Sequence, residues 1–457
     1  MSGKEPIGVI GAGWVGLVTA VCFAELGHRV VVREIVPEKV ESLRGGEVPI
    51  HEPGLPEMIE RNKERLTFTT EMAELLDGPR LLFVCVQTPP TYSGDADLSA
   101  VNRAVEEIGD PAEKALVMKS TVPVGTGRTI HRDAPDFAYV SCPEFLREGT
   151  ALKDFMEPDR VLIGTDPGDD WAGDAVAGVY EPLGAPIVRT DISSAEMVKL
   201  ASNAFLATKI SFINEIANVC EELGADVTDV ARGMGLDDRI GARFLQAGIG
   251  YGGSCFTKDV SALKMLAANS GYHFQLLNSV IEVNELQKRR VMAKLSKHLD
   301  SLVGKRVALL GLAFKPDTDD MRGASSLVLA ARLEGESASV VAYDPVAETA
   351  AAPLLPSVEI AGAAMDAFEG ADAAILVTEW PEFAKLDWAE VAKRMNTPLL
   401  VDGRNFLDGD AISAAGITYE AIGRPSAVDR SAVIREAPVD ARARESATPE
   451  TPEEAER

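Results

Sequence analysis

Histidine and cysteine are both scarce in this chain, five of each in 457 residues. The histidines (His28, His51, His131, His273 and His298) never fall at metal-ligand spacing, and no Cys-x-x-Cys pair occurs, so no zinc motif is present. An odd number of cysteines in a chain of this length excludes a disulfide framework and leads to the expectation of reduced thiols and a cytoplasmic address. Cations are in deficit as well: 45 Lys plus Arg face 71 Asp plus Glu, a formal charge of −26, and only 17 of the 45 are lysine. Such a surface repels phosphate backbones, which excludes a broad nucleic-acid-binding face and leaves room only for local basic pockets. It suits an ordinary acidic enzyme or a protein adapted to high salt, where carboxylates stay hydrated and their repulsion is screened; the size of the excess favours the second. Long apolar runs are missing too. Pro6 to Ala24 is uncharged, but four glycines interrupt it and no basic leader or cleavage site accompanies it, so neither a signal peptide nor a membrane span is expected.

What remains is an ordinary globular composition, 46% hydrophobic and 25% charged, in a length that predicts about three domains. The first part alternates strand-like and helix-like segments. Ile7–Ile10, His28–Val32, Leu81–Val86, Ala115–Met118 and Phe137–Val140 read as strands, and Val15–Glu25 as a helix, which implies βαβ units on a parallel sheet. From about Asp191 long helical stretches take over, Ala195–Leu223 and Phe274–His298, the first opened by a capping-box signature at Ser193 and Glu196. A second alternating section starts near Lys305. From Arg424 few apolar residues remain, which predicts a disordered tail. The expected fold class is therefore α/β, two doubly wound Rossmann-like domains joined by a central helical dimerisation domain, divided as 1–190, 191–300, 301–423 and the tail 424–457.

Two constellations carry chemistry. Gly11, Gly13 and Gly16 form a G-x-G-x-x-G between a strand and a helix, with Glu34 ending the second strand 18 residues later. Glycines there permit the tight turn, the approach of a pyrophosphate and close helix–strand packing. The carboxylate accepts from ribose hydroxyls and repels a 2′-phosphate, so NAD is expected as the cofactor. The second constellation is Gly250-Tyr-Gly-Gly-Ser-Cys255-Phe-Thr-Lys258-Asp259, a thiol after glycines that let the backbone approach a ligand, beside a cation that lowers a thiol pKa. Tyr-x-x-x-Lys is absent, so another group must handle the alcohol proton. Lys199 and Asn203, four apart on a helix, share a face and can stabilise an alkoxide; on its own such a pair is commonly just a solvated face. A thiol beside a dehydrogenase site allows a four-electron oxidation. An aldehyde is trapped as a thiohemiacetal, a second oxidation gives a thioester, and water releases a carboxylate.

With these motifs in order, the sequence resembles the UDP-glucose/GDP-mannose dehydrogenase family over about residues 5–423. IGAGWVG (10–16), KSTVPVGT (119–126), PEFLREG (143–149), KLASNAFLATKISFINE (199–215), GYGGSCFTKD (250–259), GLAFKPDTDDMRGAS (311–325) and DGRN (402–405) carry the resemblance. It implies Cys255 as nucleophile, Lys199 and Asn203 as oxyanion stabilisers, Asp259 and Thr121 as holders of the catalytic water, and Glu144 as base for thioester hydrolysis with Glu148 in support. It implies that Phe145, Leu146, Glu148, Phe244, Tyr251, Gly252, Lys315 and Arg404 serve the nucleotide sugar, and that Arg239 reaches a neighbouring subunit's site, making a homodimer necessary. Trp14, Val15, Lys39, Thr88, Thr121, Glu148, Lys258 and Arg322 join the glycines and Glu34 on the cofactor side. Thr257, Gln87 and Gly323 depart from the commoner family residues without removing a catalytic group. The resemblance points to UDP-glucose as substrate and UDP-glucuronate as product. GDP-mannose, a UDP-N-acetylhexosamine, a two-electron hydroxyacid oxidation and a silent nucleotide-sugar binder stay open. No metal, nucleic acid or membrane is expected as a partner.

Overall fold

The computed structural model describes residues 4–109, 113–134 and 137–425. The expected tail lies outside them apart from Arg424 and Pro425. Eight short, largely buried segments form one sheet: Ile7–Ile10 (β1), Val30–Arg33 (β2), Leu66–Thr69 (β3), Leu81–Val84 (β4), Ala115–Met118 (β5), Ala138–Ser141 (β6), Val161–Gly164 (β7) and Ile187–Thr190 (β8). Their order is β3-β2-β1-β4-β5-β6-β7-β8. All neighbours run parallel except β6 and β7. The order in which strands are added reverses between β1 and β4, the position at which doubly wound sheets open a crevice for dinucleotides. The helix Trp14–Glu25 (α1) follows β1 and packs on the sheet. Gly16 makes that possible, because a Cβ there would lie 1.9 Å from the Gly11 carbonyl oxygen. Phe23 on α1 then fills the core, its ring 5.0 Å from Phe83, 5.2 Å from Phe155 and 5.2 Å from Tyr180. Thr126–Asp133 (α2) lies between β5 and β6, and Ala151–Met156 (α3) between β6 and β7.

The central section is helical. Ile192–Leu223 (α4) is a 32-residue helix, about 48 Å long at 1.5 Å per residue. Its cap differs from the expected capping box. Asp191 is the N-cap and accepts from the Ser194 N–H, which places Ser193 inside the helix and frees Glu196 for a contact described below. Ser254–Asn269 (α5) packs along α4. The expected helix Phe274–His298 is two, Gln275–Gln287 (α6) and Arg289–His298 (α7), which meet at Lys288. Among the described residues no helix is long and apolar enough to cross a membrane.

The last section builds a second sheet from Arg306–Leu310 (β9), Ser339–Tyr343 (β10), Glu359–Ile360 (β11), Ala373–Leu376 (β12), Leu399–Asp402 (β13) and Thr418–Ala421 (β14). Its order, β11-β10-β9-β12-β13-β14, repeats the first sheet's reversal, and every pair is parallel. The expected α/β class is thus observed: two doubly wound sheets with helices between them. The far end of α4 is tied to the second sheet, since Glu221 accepts from the Gly423 N–H at 2.8 Å.

Candidate active site

A cavity of about 930 Å³ lies where the first sheet, the long helix and the loop before α5 meet. Its wall brings together Trp14, Glu144, Phe145, Leu146, Glu148, Lys199, Asn203, Phe244, Gly252, Cys255 and Lys315, residues drawn from every section of the chain. Cys255 is the second residue of α5, whose N-cap is Gly253. First-turn amides of a 16-residue helix favour negative charge, which is how a fold prepares a thiolate. The preceding glycines are needed for packing. Gly253 has φ +84°, and a Cβ on it would meet the Phe314 ring at 2.7 Å. A Cβ on Gly252 would lie 2.4 Å from the Gly323 carbonyl oxygen. These glycines line the cavity, as a ligand's approach requires, and they also let the loop press against the second α/β section.

The charges around Cys255 correct an expectation. Lys258 was expected to depress the thiol, but its Nζ sits 2.6 Å from Asp259 Oδ1 and is neutralised there. Cys255 is solvent-exposed, yet it stands at the floor of a cavity whose walls desolvate the sulfur. That desolvation, followed by the field of Glu144, pushes the thiol above its usual range, and Lys199 only partly opposes it.

Lys199 and Asn203 are buried rather than forming a solvated helix face. Lys199 Nζ lies 2.8 Å from Glu144 Oε1, and the Leu146 N–H donates to Glu144 Oε2 at 2.6 Å. Burial alone would push the ammonium down, but Glu144, Asp259 and Cys255 together hold it above the usual lysine range. Burial likewise opposes the Glu144 charge, but Lys199 and the Leu146 amide outweigh it and the carboxyl is held low. Each thus favours the charged form of the other, Lys199 as ammonium and Glu144 as carboxylate. Asn203 Nδ2 donates to Asp259 Oδ2 at 2.6 Å, so Asp259, 1% exposed, is held between an amide and an ammonium directly behind the thiol's helix turn. Glu148 differs. Burial and Asp320 raise it to about 7, against Arg322, Lys315 and Thr318. Lys315 donates to the Glu148 carbonyl at 2.6 Å, and burial pushes its own pKa down.

Tyr251, Arg404, Arg322 and Arg239 are not part of the cavity wall. Tyr251 is in the core, its backbone N–H and carbonyl both bonded to Asn284 at 2.8 and 3.1 Å. Arg404 bridges backbone, donating to Val377 at 2.7 Å, Gly250 at 2.9 Å and Phe314 at 3.4 Å, and so acts on the cavity through the segments it ties together. Arg322 pairs with Asp320 at 2.7 Å. The Arg239 side chain is 89% exposed and pairs with its neighbour Asp237. The Thr121 carbonyl accepts from the Thr88 hydroxyl at 2.9 Å, which fixes the loop below the reversal point.

The cofactor turn fits a dinucleotide. Gly13 faces open space, with no atom within 4 Å of a Cβ built on it, and α1 has no side-chain cap, so its first amides are free to meet a phosphate. Glu34 sits at the mouth of the turn, accepting from the Ala12 N–H at 3.1 Å, with Lys39 Nζ 3.5 Å away. Val15 packs against the core beneath it.

Comparison with known proteins decides the family. Residues 5–184 match the NAD binding domain of the UDP-glucose/GDP-mannose dehydrogenase family, residues 193–286 its central domain and residues 308–409 its UDP binding domain. This chain belongs to that family. The UDP-glucose 6-dehydrogenase TuaD of Bacillus subtilis (strain 168) is 44% identical over 434 residues, covering 92% of this chain and 94% of that protein. The UDP-glucose 6-dehydrogenase AglM of Haloferax volcanii is 42% identical over 439 residues, covering 91% and 99%. The structure of a UDP-glucose dehydrogenase from Pyrobaculum islandicum superposes with a TM-score of 0.85 at 38% identity, covering 92% of this chain and 98% of that one. Like its family, the chain is an NAD-dependent nucleotide-sugar dehydrogenase, with the α/β section from residue 5 as its NAD-binding domain.

Sequence reasoning missed two residues of the cavity wall, Lys119 and Arg160, and one that positions the long helix, Glu196. Lys119 is buried in the cavity wall, its Nζ 2.9 Å from the Tyr180 hydroxyl. Arg160 stacks 3.5 Å over the Phe145 ring. Glu196 accepts from the Gly125 and Gly127 N–H groups, both at 2.7 Å, and so ties α4 to the start of α2. Lys119 stands inside a quoted motif and was within reach. Glu196 was noticed but assigned to a local cap.

Proposed function

We propose that this chain oxidises C6 of UDP-glucose to the carboxylate of UDP-glucuronate, with Cys255 as the covalent carrier. The observation that supports it best is a thiol at a helix N-terminus on the floor of one cavity, flanked by a buried Lys199–Glu144 pair and a buried Asn203–Asp259 pair. NAD, when bound, would take up one hydride in each of two oxidations, and each time the hydroxyl proton leaves to water. Lys199 and Asn203 face the C6 oxygen and stabilise negative charge as it forms, because neither has to reorganise in a dry site. The resulting aldehyde accepts the Cys255 sulfur, forming an S–C bond, and its oxygen takes a proton to complete the thiohemiacetal. The second oxidation leaves a thioester. Water, held by Asp259 and Thr121 and deprotonated toward Glu144, then adds to the carbonyl, the S–C bond breaks, and the thiol is restored as the acid leaves.

The remaining assignments belong to this reading. Phe145, Leu146, Glu148, Phe244, Gly252 and Lys315 hold the nucleotide sugar, with Arg404 and Tyr251 shaping the loop over it. Glu34, Lys39, Thr88, Lys258 and Arg322 serve the cofactor side. The functional units are 1–190, 191–300 and 301–423. Two copies pair along α4, whose Phe205, Phe212, Val219 and Leu223 are exposed in a seven-and-four spacing, and Arg239 completes the partner's site. The enzyme works in the cytoplasm, where reduced thiols persist. The test is NADH yield across a panel of nucleotide sugars. UDP-glucose should give two NADH per sugar and the highest kcat/KM. A yield of one, or preference for GDP-mannose or an N-acetylated hexose, refutes the assignment.

A further inference from the structure

Glu52 lies in none of the motifs above, yet its carboxylate, 3% exposed, is one of the most fully used in the molecule. Oε2 accepts from the Trp14 indole Nε1–H at 3.0 Å and from the Gly149 N–H at 2.7 Å, and Oε1 accepts from the Ala151 N–H at 2.8 Å. No lysine or arginine pairs with it among the described residues. Three neutral N–H groups hold the buried anion, so losing any one leaves it poorly satisfied.

The three donors come from two functional segments. Trp14 follows Gly13 in the cofactor turn, opens α1 and borders the catalytic cavity. Gly149 and Ala151 end the loop that begins with Glu144 and carries Phe145, Leu146 and Glu148 along the same cavity. That loop is gripped from its other side by the second α/β section. Lys315 donates to the Glu148 carbonyl at 2.6 Å and Thr318 to the Glu148 carboxylate at 3.2 Å. A Cβ on Gly149 would lie 2.9 Å from Asp317 Cβ, so the segment has no room to slide. An unbroken chain of contacts therefore runs from the cofactor turn, through Trp14 and Glu52, into the sugar loop and on to the domain behind it.

We infer that Glu52 is a positioning residue that couples the two ligand sites: a dinucleotide fixed on the turn fixes Trp14, and through Glu52 it fixes the loop that receives the nucleotide sugar. The inference rests on the function proposed above. Linkage requires the coupling to be reciprocal, so each ligand tightens the other by the same factor.

The test is fluorescence titration of NADH with and without saturating UDP-glucose, a pair that binds together without turnover. In the unaltered enzyme UDP-glucose should lower the NADH Kd about fivefold or more. In Glu52→Gln, whose amide NH2 opposes one of the N–H donors, the factor should fall to within about twofold of unity, because one of the three bonds is lost. Trp14→Phe removes the indole donor and part of the ring but keeps the Glu52 carboxylate, so it perturbs the same contact from its other end. It should lose the coupling while NADH and UDP-glucose each still bind alone with a measurable Kd; its melting temperature should fall modestly, because Glu52 loses one donor. Full coupling in both variants overturns the inference, and so does independent binding in an unaltered enzyme that turns UDP-glucose over. Failure of that enzyme to bind UDP-glucose at all removes the proposed function, and this inference with it.

Discussion

Around Cys255 the decisive feature is that every nearby charge already has a partner. Lys199 answers Glu144 and Lys258 answers Asp259, so Lys199 only partly offsets the desolvation and the carboxylates that hold the thiol high. Removing one member of a buried pair is costly because the other stays charged in a dry place. Lys199→Ala should therefore reduce stability by about 3–5 kcal/mol as well as activity. Denaturant unfolding of purified protein checks this, and an unchanged midpoint would mean that Glu144 simply takes up a proton. The sequence motifs did mark the places that matter: Cys255 and Lys199 line the cavity, and Glu34 stands at the cofactor turn. What was not legible was who sits beside whom. Lys258 was read as the cation that activates the thiol because it is three residues away along the chain, but one helical step brings it to Asp259.

Between elements, Glu196 joins α4 to the turn that starts α2, one helical turn from Lys199. Burial raises its pKa to about 7, and the Gly125 and Gly127 amides resist that shift. The groups facing it are Arg128, Asp166 and the Tyr139 ring. A carboxyl whose folded pKa exceeds its unfolded value contributes stability that is complete below the unfolded pKa and is lost as pH rises through the folded one. The stability of the unaltered protein relative to Glu196→Gln should therefore decline from pH 4.5 to about pH 7 and level off above it. Melting temperatures of both proteins across that range decide the point, and a difference that is flat or grows with pH contradicts it. The elements themselves were well marked in the sequence. Continuous apolar runs such as Leu81–Val84 and the G-x-G-x-x-G turn placed β1, β4 and α1, since burial on both faces leaves no polar alternation to confuse the reading. The misreadings came at element ends. Asp191, not Ser193, caps α4 through a local bond from the Ser194 N–H, and Lys288 divides what reads as one helix, because several adjacent residues can cap equally well and a break of one residue leaves the periodicity almost unchanged.

At the scale of the whole molecule, charge and assembly carry the account. An excess of 26 negative charges destabilises a compact chain by self-repulsion unless salt screens it. Activity should rise from low to molar KCl, and a low-salt optimum would contradict adaptation to salt. The exposed Arg239 and the apolar stripe on α4 lead to a second expectation. Cys255→Ser and Arg239→Ala homodimers should each be nearly inactive. After subunit exchange, random pairing gives hybrids with one intact site, which restores about a quarter of full activity. No recovery on mixing would mean that Arg239 acts within its own subunit. The division into two sheets and a helical middle could be read from alternation and composition alone. The closeness of the two halves could not, because it rests on glycines such as Gly252 and Gly149, whose role is to leave no room for a Cβ.

The claim that supports all the rest is a covalent bond between sulfur and sugar. Enzyme turning over UDP-glucose with NAD should be quenched in acid, digested and weighed peptide by peptide. The account predicts a nucleotide-sugar adduct on the peptide that contains Cys255, absent when UDP-glucose is omitted. An unmodified Cys255 peptide in enzyme that still yields two NADH and one UDP-glucuronate per sugar would contradict it.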